Sequence, residues 1–178
     1  MTRRPCAGLL AVTLLMGGCP AMTPEPPADA VAIEAAEYAG TLVCLVDVRP
    51  SGGVPLAPVR DVQTAALAVV IAADGAVTLD GMTVAPGALL ATTTARAATR
   101  KTITSVVVQP TQIVVDFTAE ITSFTISPPR RYVGAGRFTL AGVSATTLHY
   151  SEVTQLTYVA ADGAILATFT CSANVTTN

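Results

Sequence analysis

From residue 38 onward, apolar and polar residues alternate with a period of two. Successive side chains of a β-strand point to opposite faces of the sheet, so this alternation predicts strands with one face in the core and one in water. The pattern is clearest near the middle of the chain and again near its end. The two apolar series are Ile113, Val115, Phe117, Ala119 and Ile121, and then Ile165, Ala167, Phe169, Cys171, Ala173 and Val175.

Short turn sequences interrupt the alternation. Ala73-Asp74-Gly75 and Ala161-Asp162-Gly163 each lie between apolar runs, and Asp80-Gly81 and Pro86-Gly87 are further turns. Such Gly-containing sequences are typical of hairpins and tight turns. We therefore predict about eight antiparallel strands and leave residues 85–100 unassigned. The predicted strands are 38–48, 62–72, 76–84, 101–109, 112–121, 132–141, 145–159 and 164–175.

Consecutive hairpins favour an all-β fold, either an antiparallel up-and-down barrel of lipocalin-like architecture or a β-sandwich. We favour the barrel. A barrel embedded in an outer membrane carries girdles of aromatic residues, and the chain has no Trp, four Tyr and four Phe, so we set that alternative aside. The Gly-x-Trp signature of lipocalins is absent near the first strand, where residues 38–42 read Tyr-Ala-Gly-Thr-Leu.

The N-terminus differs in character from the rest of the chain. Arg3 and Arg4 precede an apolar stretch, residues 7–16, and Gly17 and Gly18 follow it. This order is typical of an export signal. The apolar stretch has ten residues, whereas a helix that spans a bilayer needs about 20, so it predicts a cleaved signal rather than a permanent anchor.

Residues 15–19 read Leu-Met-Gly-Gly-Cys and resemble the lipobox of bacterial lipoproteins. The resemblance covers only the first twenty or so residues, and Met16 stands where Leu is most common. It implies cleavage after Gly18, a diacylglyceryl group on the sulfur of Cys19, and an acyl chain such as palmitate on the new amino group. Two or more acyl chains anchor a protein stably to a bilayer.

These features divide the chain into a signal peptide (1–18), a lipidated cysteine with a Pro-rich tether (19–37) and a β domain (38–178). Prolines in the tether favour extended polyproline geometry, and residues 29–37 could form a short helix or be irregular. In Gram-negative lipoproteins, Asp after the lipidated cysteine often signals retention in the inner membrane. Pro20 stands there, which implies the outer membrane, with the outer leaflet of the cytoplasmic membrane as the alternative.

Of the four cysteines, Cys6 is lost with the signal and Cys19 is lipidated, which leaves Cys44 and Cys171. Both lie on apolar faces, in the first and last strands, and an exported protein meets an oxidising compartment. We predict a disulfide between them, which would close a barrel if those strands are neighbours; two buried free thiols are the alternative. One His in the chain is too few to complete a zinc site with them, so no metal is predicted.

Candidate catalytic residues are few. His149 and Ser151 share one face of a strand about 7 Å apart, too far for a direct bond between nucleophile and base. Asp116 and Glu120 are about 13 Å apart, beyond the spacing that glycosidases use. We therefore predict no catalytic residue, with His149 at the surface or in a cross-strand contact and both acids solvated.

Two further patterns are weak. Gly134-Ala135-Gly136 lacks the third glycine and the strand–helix context of a phosphate loop. Two cationic groups could contact anionic head groups or peptidoglycan, although solvated loops explain them as well. The groups are Arg130, Arg131 and Arg137, and Arg96, Arg100 and Lys101.

The charge balance excludes one class of function. The net charge is −2, and loss of residues 1–18 with Arg3 and Arg4 lowers it to −4. Nucleic-acid-binding proteins carry a basic stripe instead, and no cofactor motif is present. We expect an envelope lipoprotein that acts as a non-catalytic interaction or structural module, whose partners are the membrane and an envelope protein.

A lipocalin-like barrel that binds a small apolar ligand is the alternative hypothesis, and a hydrolase is the third. The interior of the domain discriminates between the first two. A continuous apolar cavity above about 300 Å³ favours ligand binding, whereas a filled core favours the interaction module.

Overall fold

The structure, a computed structural model, describes residues 31–50, 59–125, 128–159 and 165–177. Within these ranges the fold is all-β, with ten strands and no helix. The strands are β1 (Ala36–Pro50), β2 (Val59–Ile71), β3 (Val77–Leu79), β4 (Met82–Val84), β5 (Leu89–Thr93), β6 (Ala97–Val108), β7 (Gln112–Ser123), β8 (Arg130–Ser144), β9 (Thr147–Tyr158) and β10 (Ile165–Thr177).

The ten strands form one antiparallel sheet in the order β4-β3-β2-β1-β10-β9-β8-β7-β6-β5. Its two edge strands, β4 and β5, are consecutive in the chain and adjacent in space. The backbone N–H of Ala91 lies 3.3 Å from the sulfur of Met82 across this seam. The sheet therefore curls into a nearly closed barrel, as the consecutive hairpins predict.

The first and last strands are neighbours, and a disulfide joins them. Cys44 and Cys171 lie directly opposite each other in the β1–β10 pair, and their sulfurs are bonded. Both side chains point into the barrel, as the alternation predicts. The bridge closes a loop with a sequence separation of 127 residues.

The structure has ten strands where the alternation predicts about eight. The predicted strand 76–84 is two short strands, β3 and β4, because Asp80 and Gly81 form a two-residue turn between them. Both residues have positive φ, 48° and 77°, which is the geometry of a tight hairpin. The unassigned residues 85–100 hold β5 and the start of β6, and the chain reaches β5 through a turn at Gly87, with φ 83°.

The two ends of the barrel differ in the connections that they carry. At the turn end, short turns at residues 72–76, 85–88, 109–111 and 145–146 join the strands. The opposite end, which we call the mouth, is where β1, β5, β7 and β9 finish. The half of the barrel next to the turn end is the turn half, and the other is the mouth half.

The chain enters the barrel at the turn end. The backbone N–H of Val31 donates to the carbonyl oxygen of Gly142 at 3.1 Å, and that of Ile33 donates to the carbonyl oxygen of Pro110 at 2.8 Å. A Cβ on Gly142 would lie 1.9 Å from the Val31 carbonyl oxygen, so only glycine leaves room for this segment. Residues 31–37 contain no helix, and β1 begins at Ala36, two residues before its predicted start.

Apolar side chains fill the turn half. The Phe138 ring lies 5.5 Å from Tyr150 and 6.1 Å from Phe117, measured between ring centroids, and all three are buried. Each buried side chain of this size removes apolar area worth about 1.5–3 kcal/mol from water. Other members of this core are Tyr38, Val69, Ile113, Leu140, Leu148 and Val175.

Candidate functional site

A cavity of about 880 Å³ occupies the mouth half of the barrel. Its wall comes from β1, β2, β6, β7, β8, β9 and β10, and the β5–β6 turn forms another side. The apolar residues that line it are Val46, Val48, Ile121, Tyr132, Leu156, Ala167 and Phe169. The barrel is therefore filled in one half and hollow in the other.

The cavity exists because the barrel wall is shorter on one side. β3 pairs only with Val69–Ile71, the last residues of β2, and the Asp80–Gly81 turn ends at the level of Ala68. Within the described residues, 60–67 of β2 have no partner strand on that side. An opening thus lies between β2 and the β5–β6 turn, and residues 61–64 and 94–97 line it.

Polar side chains border the cavity as well. Arg96 and Arg130 stand on the β6–β8 side, and Asp61 and Gln63 stand on β2. The guanidinium carbon of Arg130 lies 5.5 Å from the centre of the Tyr158 ring, a distance at which a cation and an aromatic face attract each other. An apolar interior with a few polar groups at its border is typical of small-molecule sites.

A buried polar cluster lies beneath the cavity floor. Lys101 Nζ donates to both carboxylate oxygens of Glu152 at 2.7 Å, and Thr154 Oγ1 donates at 2.8 Å. The Tyr150 hydroxyl donates to the same carboxylate, and Lys101 Nζ lies 4.9 Å from the Phe117 ring centre. Every polar group of the cluster is thereby satisfied, which a buried charge requires.

Glu152 is only 4% exposed, and its surroundings affect the neighbouring tyrosine. Burial raises the pKa of the Tyr150 hydroxyl well above its ordinary value, and the charge of Glu152 acts in the same direction. The tyrosine therefore stays protonated and remains a donor at any physiological pH. The cluster is a fixed partition between the cavity and the filled turn half rather than an acid–base pair open to solvent.

His149 lies on the outside of the barrel in a cross-strand contact, as predicted. Its Nδ1 is 2.9 Å from Oδ1 of Asn174, which faces it in the β9–β10 pair. Ser151 follows on the same outward face, and neither residue lines the cavity. The structure brings no carboxylate among its described residues to His149, so it assembles no catalytic triad there.

Asp116 and Glu120 are outward residues of β7 whose side chains are 34% and 37% exposed, and each is also paired with an arginine. Each accepts two hydrogen bonds from an arginine of β8. Asp116 pairs with Arg137 at 2.6 Å and also accepts from Ser105, and Glu120 pairs with Arg131 at 2.8 Å. Asp116 lies directly opposite Arg137 in the β7–β8 pair, whereas Glu120 lies opposite Val133 and reaches Arg131 diagonally.

The structure does not bring together the members of either cationic group, Arg130, Arg131 and Arg137 or Arg96, Arg100 and Lys101. Arg131 and Arg137 point outward to their carboxylates, while Arg130 borders the cavity. In the second group, Lys101 points inward to Glu152 and Arg96 borders the cavity. Arg100 faces Glu120 across the β6–β7 pair. Alternation along the strands separates neighbours in sequence onto opposite faces.

Gly134 and Gly136 lie on β8 and hold no phosphate loop. A Cβ on Gly136 would come within 2.5 Å of the Phe117 ring and 2.6 Å of Thr154. A Cβ on Gly134 would come within 1.9 Å of the Gln155 carbonyl oxygen. Both glycines therefore make room for close packing inside the barrel.

The buried cluster and the cavity are what sequence reasoning missed. One signal was present: the inward series of β9 reads Leu148, Tyr150, Glu152, Thr154 and Leu156, which puts an acid in a core position. A carboxylate there requires a cation, and Lys101 is the one lysine of the chain. Nothing in the sequence indicated that the wall above β3 and β4 is missing.

Several predicted features fall outside the described residues, including the signal peptide, Cys19 and the turn at 161–163. Among the residues that the structure describes, no group of three or more His, Cys, Asp or Glu is placed to hold a metal ion. None of these segments forms a helix long and apolar enough to cross a membrane. A second, smaller cleft of about 440 Å³ lies at the turn end, beside Ile33 and Pro110.

No protein-family model and no curated protein matches the sequence. Among solved structures, the chain is similar to Ail, the attachment invasion locus protein of Yersinia pestis. The TM-score is 0.45 with 9% sequence identity, over 80% of this chain and 99% of that one. A likeness at this level does not extend to function.

Proposed function

We propose that the protein is a non-catalytic binding barrel of the cell envelope that takes a small, mainly apolar molecule into the mouth half of its interior. The observation that carries this proposal is the cavity of about 880 Å³ with its apolar lining. Small-molecule sites are commonly about 300–1,000 Å³. A filled interior would have favoured a purely structural module instead.

The lining favours an apolar guest of moderate size. Val46, Phe169 and Leu156 form a continuous apolar surface, and each Å² of apolar surface removed from water contributes about 25 cal/mol. The disulfide lies one inward position below Val46 and Phe169 and fixes the distance between their strands. The site is therefore rigid on this side before any ligand arrives, which reduces the entropic cost of binding.

The proposal includes the lipid anchor on Cys19. Its support is the order of charge, apolar stretch, small residues and cysteine in residues 1–19. The Pro-rich residues that follow would form a spacer between Cys19 and Val31, whose backbone N–H bonds to the barrel. A Pro at position 20 supports the outer membrane as the destination.

A second candidate function, the interaction module, is favoured by one feature. Residues 60–67 of β2 expose an edge without a partner strand among the described residues, beside the outward residues Val43 and Val62, which are 44% and 63% exposed. An unpaired edge can accept a strand from a partner. Such a strand would cover the lateral opening of the cavity.

Binding can be tested with N-phenyl-1-naphthylamine, an uncharged dye that fluoresces in apolar surroundings. We expect saturable binding to the purified protein. Ala167→Phe, inside the cavity, should weaken it at least about tenfold, the ratio that 1.4 kcal/mol gives. Thr168→Phe, the next residue and outward, is the matched control and should bind like the wild type. No saturable binding, or equal binding by both variants, would refute the cavity as a site.

The anchor is tested separately by Cys19→Ser in the native host. We expect the wild type in the membrane fraction with the added mass of its acyl groups, and the variant in the soluble fraction without it. Membrane association of the variant with unchanged mass would overturn the anchor and leave the binding proposal standing. Mass spectrometry of the wild type also reports any molecule that co-purifies with it.

A further inference from the structure

We propose that the ligand of the cavity is an amphiphile with an anionic head group, held by Arg96 and Arg130 at the border of the cavity. This inference rests on the proposed binding function and names the ligand class for the same site. Its basis is the distribution of charge over the barrel.

Among the eight cations in the described residues, six face a carboxylate. Four are in ion pairs: Arg49 with Asp47, Lys101 with Glu152, Arg131 with Glu120 and Arg137 with Asp116. Arg60 lies opposite Asp47, and Arg100 lies opposite Glu120, in their strand pairs. The remaining two are Arg96 and Arg130, and both line the cavity.

These two arginines are close enough to act together. Arg130 is directly opposite Ser123, and Ser123 is opposite Ala97, the residue after Arg96. The backbone carbonyl of Arg96 is fixed by the Phe124 N–H at 2.8 Å. Two strand spacings separate the two arginines, which is about 10 Å between their backbones. Two arginine side chains can span that distance to a single anion.

The opposite side of the cavity is polar but does not cancel them. Asp61 lines the cavity on β2, and its carboxylate accepts from Gln63 Nε2 at 3.3 Å. Two cations against one anion leave the described lining with a net charge of +1, in a barrel whose chain is negative overall. This local reversal of sign favours an anion at the border of the cavity.

The chemistry of arginine suits a carboxylate or a phosphate. The guanidinium presents paired donors that match two oxygens of either group. Contact with the Tyr158 ring restrains the plane of the Arg130 guanidinium, so less freedom is lost when the anion binds. The apolar surface at Val46 and Phe169 then takes the hydrocarbon part of the same molecule.

The test is displacement of bound N-phenyl-1-naphthylamine by four twelve-carbon compounds that share one tail. They are dodecanoate, dodecyl phosphate, dodecanol and dodecyltrimethylammonium, each below its micelle concentration. We expect either anion to displace the dye at about tenfold lower concentration than the alcohol, and the cation to be weakest. The ratio of dodecanoate to dodecyl phosphate distinguishes a fatty acid from a phosphate-bearing lipid as the source of the head group.

The test variant carries both Arg96→Gln and Arg130→Gln. The control variant carries both Arg131→Gln and Arg137→Gln, which remove the same amount of charge from the outside of the barrel. We expect the first pair to abolish the preference for anions while dodecanol still displaces the dye, and the second pair to keep it. Equal displacement by all four compounds, or loss of preference in both double variants, would refute the inference. Failure of every compound, with no dye binding, would instead refute the binding function.

Discussion

The two halves of the barrel share the same strands but not the same interior. In β2, Leu67, Val69 and Ile71 are buried, whereas residues 60–66 of the same strand are exposed. In the turn half, β3 and β4 complete the wall, and aromatic side chains fill the space behind it. In the mouth half those strands are missing, and the inward residues surround a cavity.

The extent of the barrel wall, rather than the composition of the strands, therefore determines where the interior is hollow. The Asp80–Gly81 turn ends the β3–β4 hairpin at mid-height, so one short turn determines the depth of the cavity. The Lys101–Glu152 cluster separates the two halves. The filled half buries a continuous apolar core, whereas the hollow half leaves a cavity among its inward residues. Four predictions test this division.

The largest effect is expected from the disulfide, which joins the halves at their boundary. Replacing Cys44 and Cys171 by Ala should lower the free energy of unfolding by about 5 kcal/mol, because the bridge restricts a very long loop of the unfolded chain. Urea denaturation measures the loss, and hydrogen exchange should rise first in β1 and β2 of the mouth half. An unchanged stability would mean that backbone pairing alone holds β1 to β10.

The next largest effect is expected from the Lys101–Glu152 cluster, which separates the two halves. Lys101→Met leaves the buried carboxylate of Glu152 without its cation, and we expect a loss of about 3 kcal/mol in the free energy of unfolding at pH 7. Adding Glu152→Gln, which removes the charge and keeps polar partners for Tyr150 and Thr154, should recover more than half of that loss. If the double variant is as unstable as the single one, the cost arises from lost packing on Phe117 and not from charge.

The same substitution placed in each half tests the contrast most directly. Ala167 and Ala173 are both inward, buried residues of β10, and only Ala167 lines the cavity. Ala173→Leu should cost about 1–3 kcal/mol because the turn half has no room for it, while Ala167→Leu should cost less than about 1 kcal/mol. Thermal denaturation compares the two variants. Equal costs would mean that the mouth half is as tightly packed as the turn half.

The smallest effect is expected from acid, through the outward ion pairs. Hydrogen bonds from Arg137 hold the pKa of Asp116 below its ordinary value of 3.8, and those from Arg131 lower that of Glu120. A carboxyl whose pKa is lower in the folded state stabilises the fold above its ordinary pKa, and this contribution is lost as the pH falls through the folded value. Stability should therefore decline below about pH 4.

Asp116→Asn is the variant that checks the assignment. It removes one of the three carboxylates whose pKa an arginine lowers, the others being Asp47 and Glu120. The decline in stability between neutral and acid pH should therefore become smaller in the variant than in the wild type. Urea denaturation at a series of pH values measures both curves. If the free energy of unfolding falls equally with pH in the two proteins, the acid sensitivity arises from other groups.

Much of the fold was predictable because it depends on local patterns. Period-two alternation located the long strands, and turn residues such as Pro86-Gly87 marked their ends. The Cys44–Cys171 bridge followed from two inward cysteines in the first and last strands. The confirmed barrel needed only the further assumption that consecutive hairpins close on themselves.

The candidate site was not predictable in the same way. The Lys101–Glu152 pair joins residues 51 positions apart in the chain, and nothing local indicates which cation meets which carboxylate. The ion pair of Asp116 with Arg137 was missed for the same reason, because the β7–β8 register places these two residues opposite each other. A cavity is harder still to predict, because it depends on where the barrel wall ends. The alternation over residues 76–84 predicted one continuous strand, although the wall ends at the Asp80–Gly81 turn within it.

Val31 bonds to Gly142 at the turn end, while the lateral opening of the cavity lies in the mouth half. A protein held by a lipid on residue 19 would thus turn its base toward the bilayer and its aperture toward the aqueous compartment. Its cargo would be captured from dispersed monomers rather than drawn directly out of the leaflet. Uptake would then follow the free concentration of the amphiphile in solution, and the barrel would act as a buffer for material in transit between surfaces.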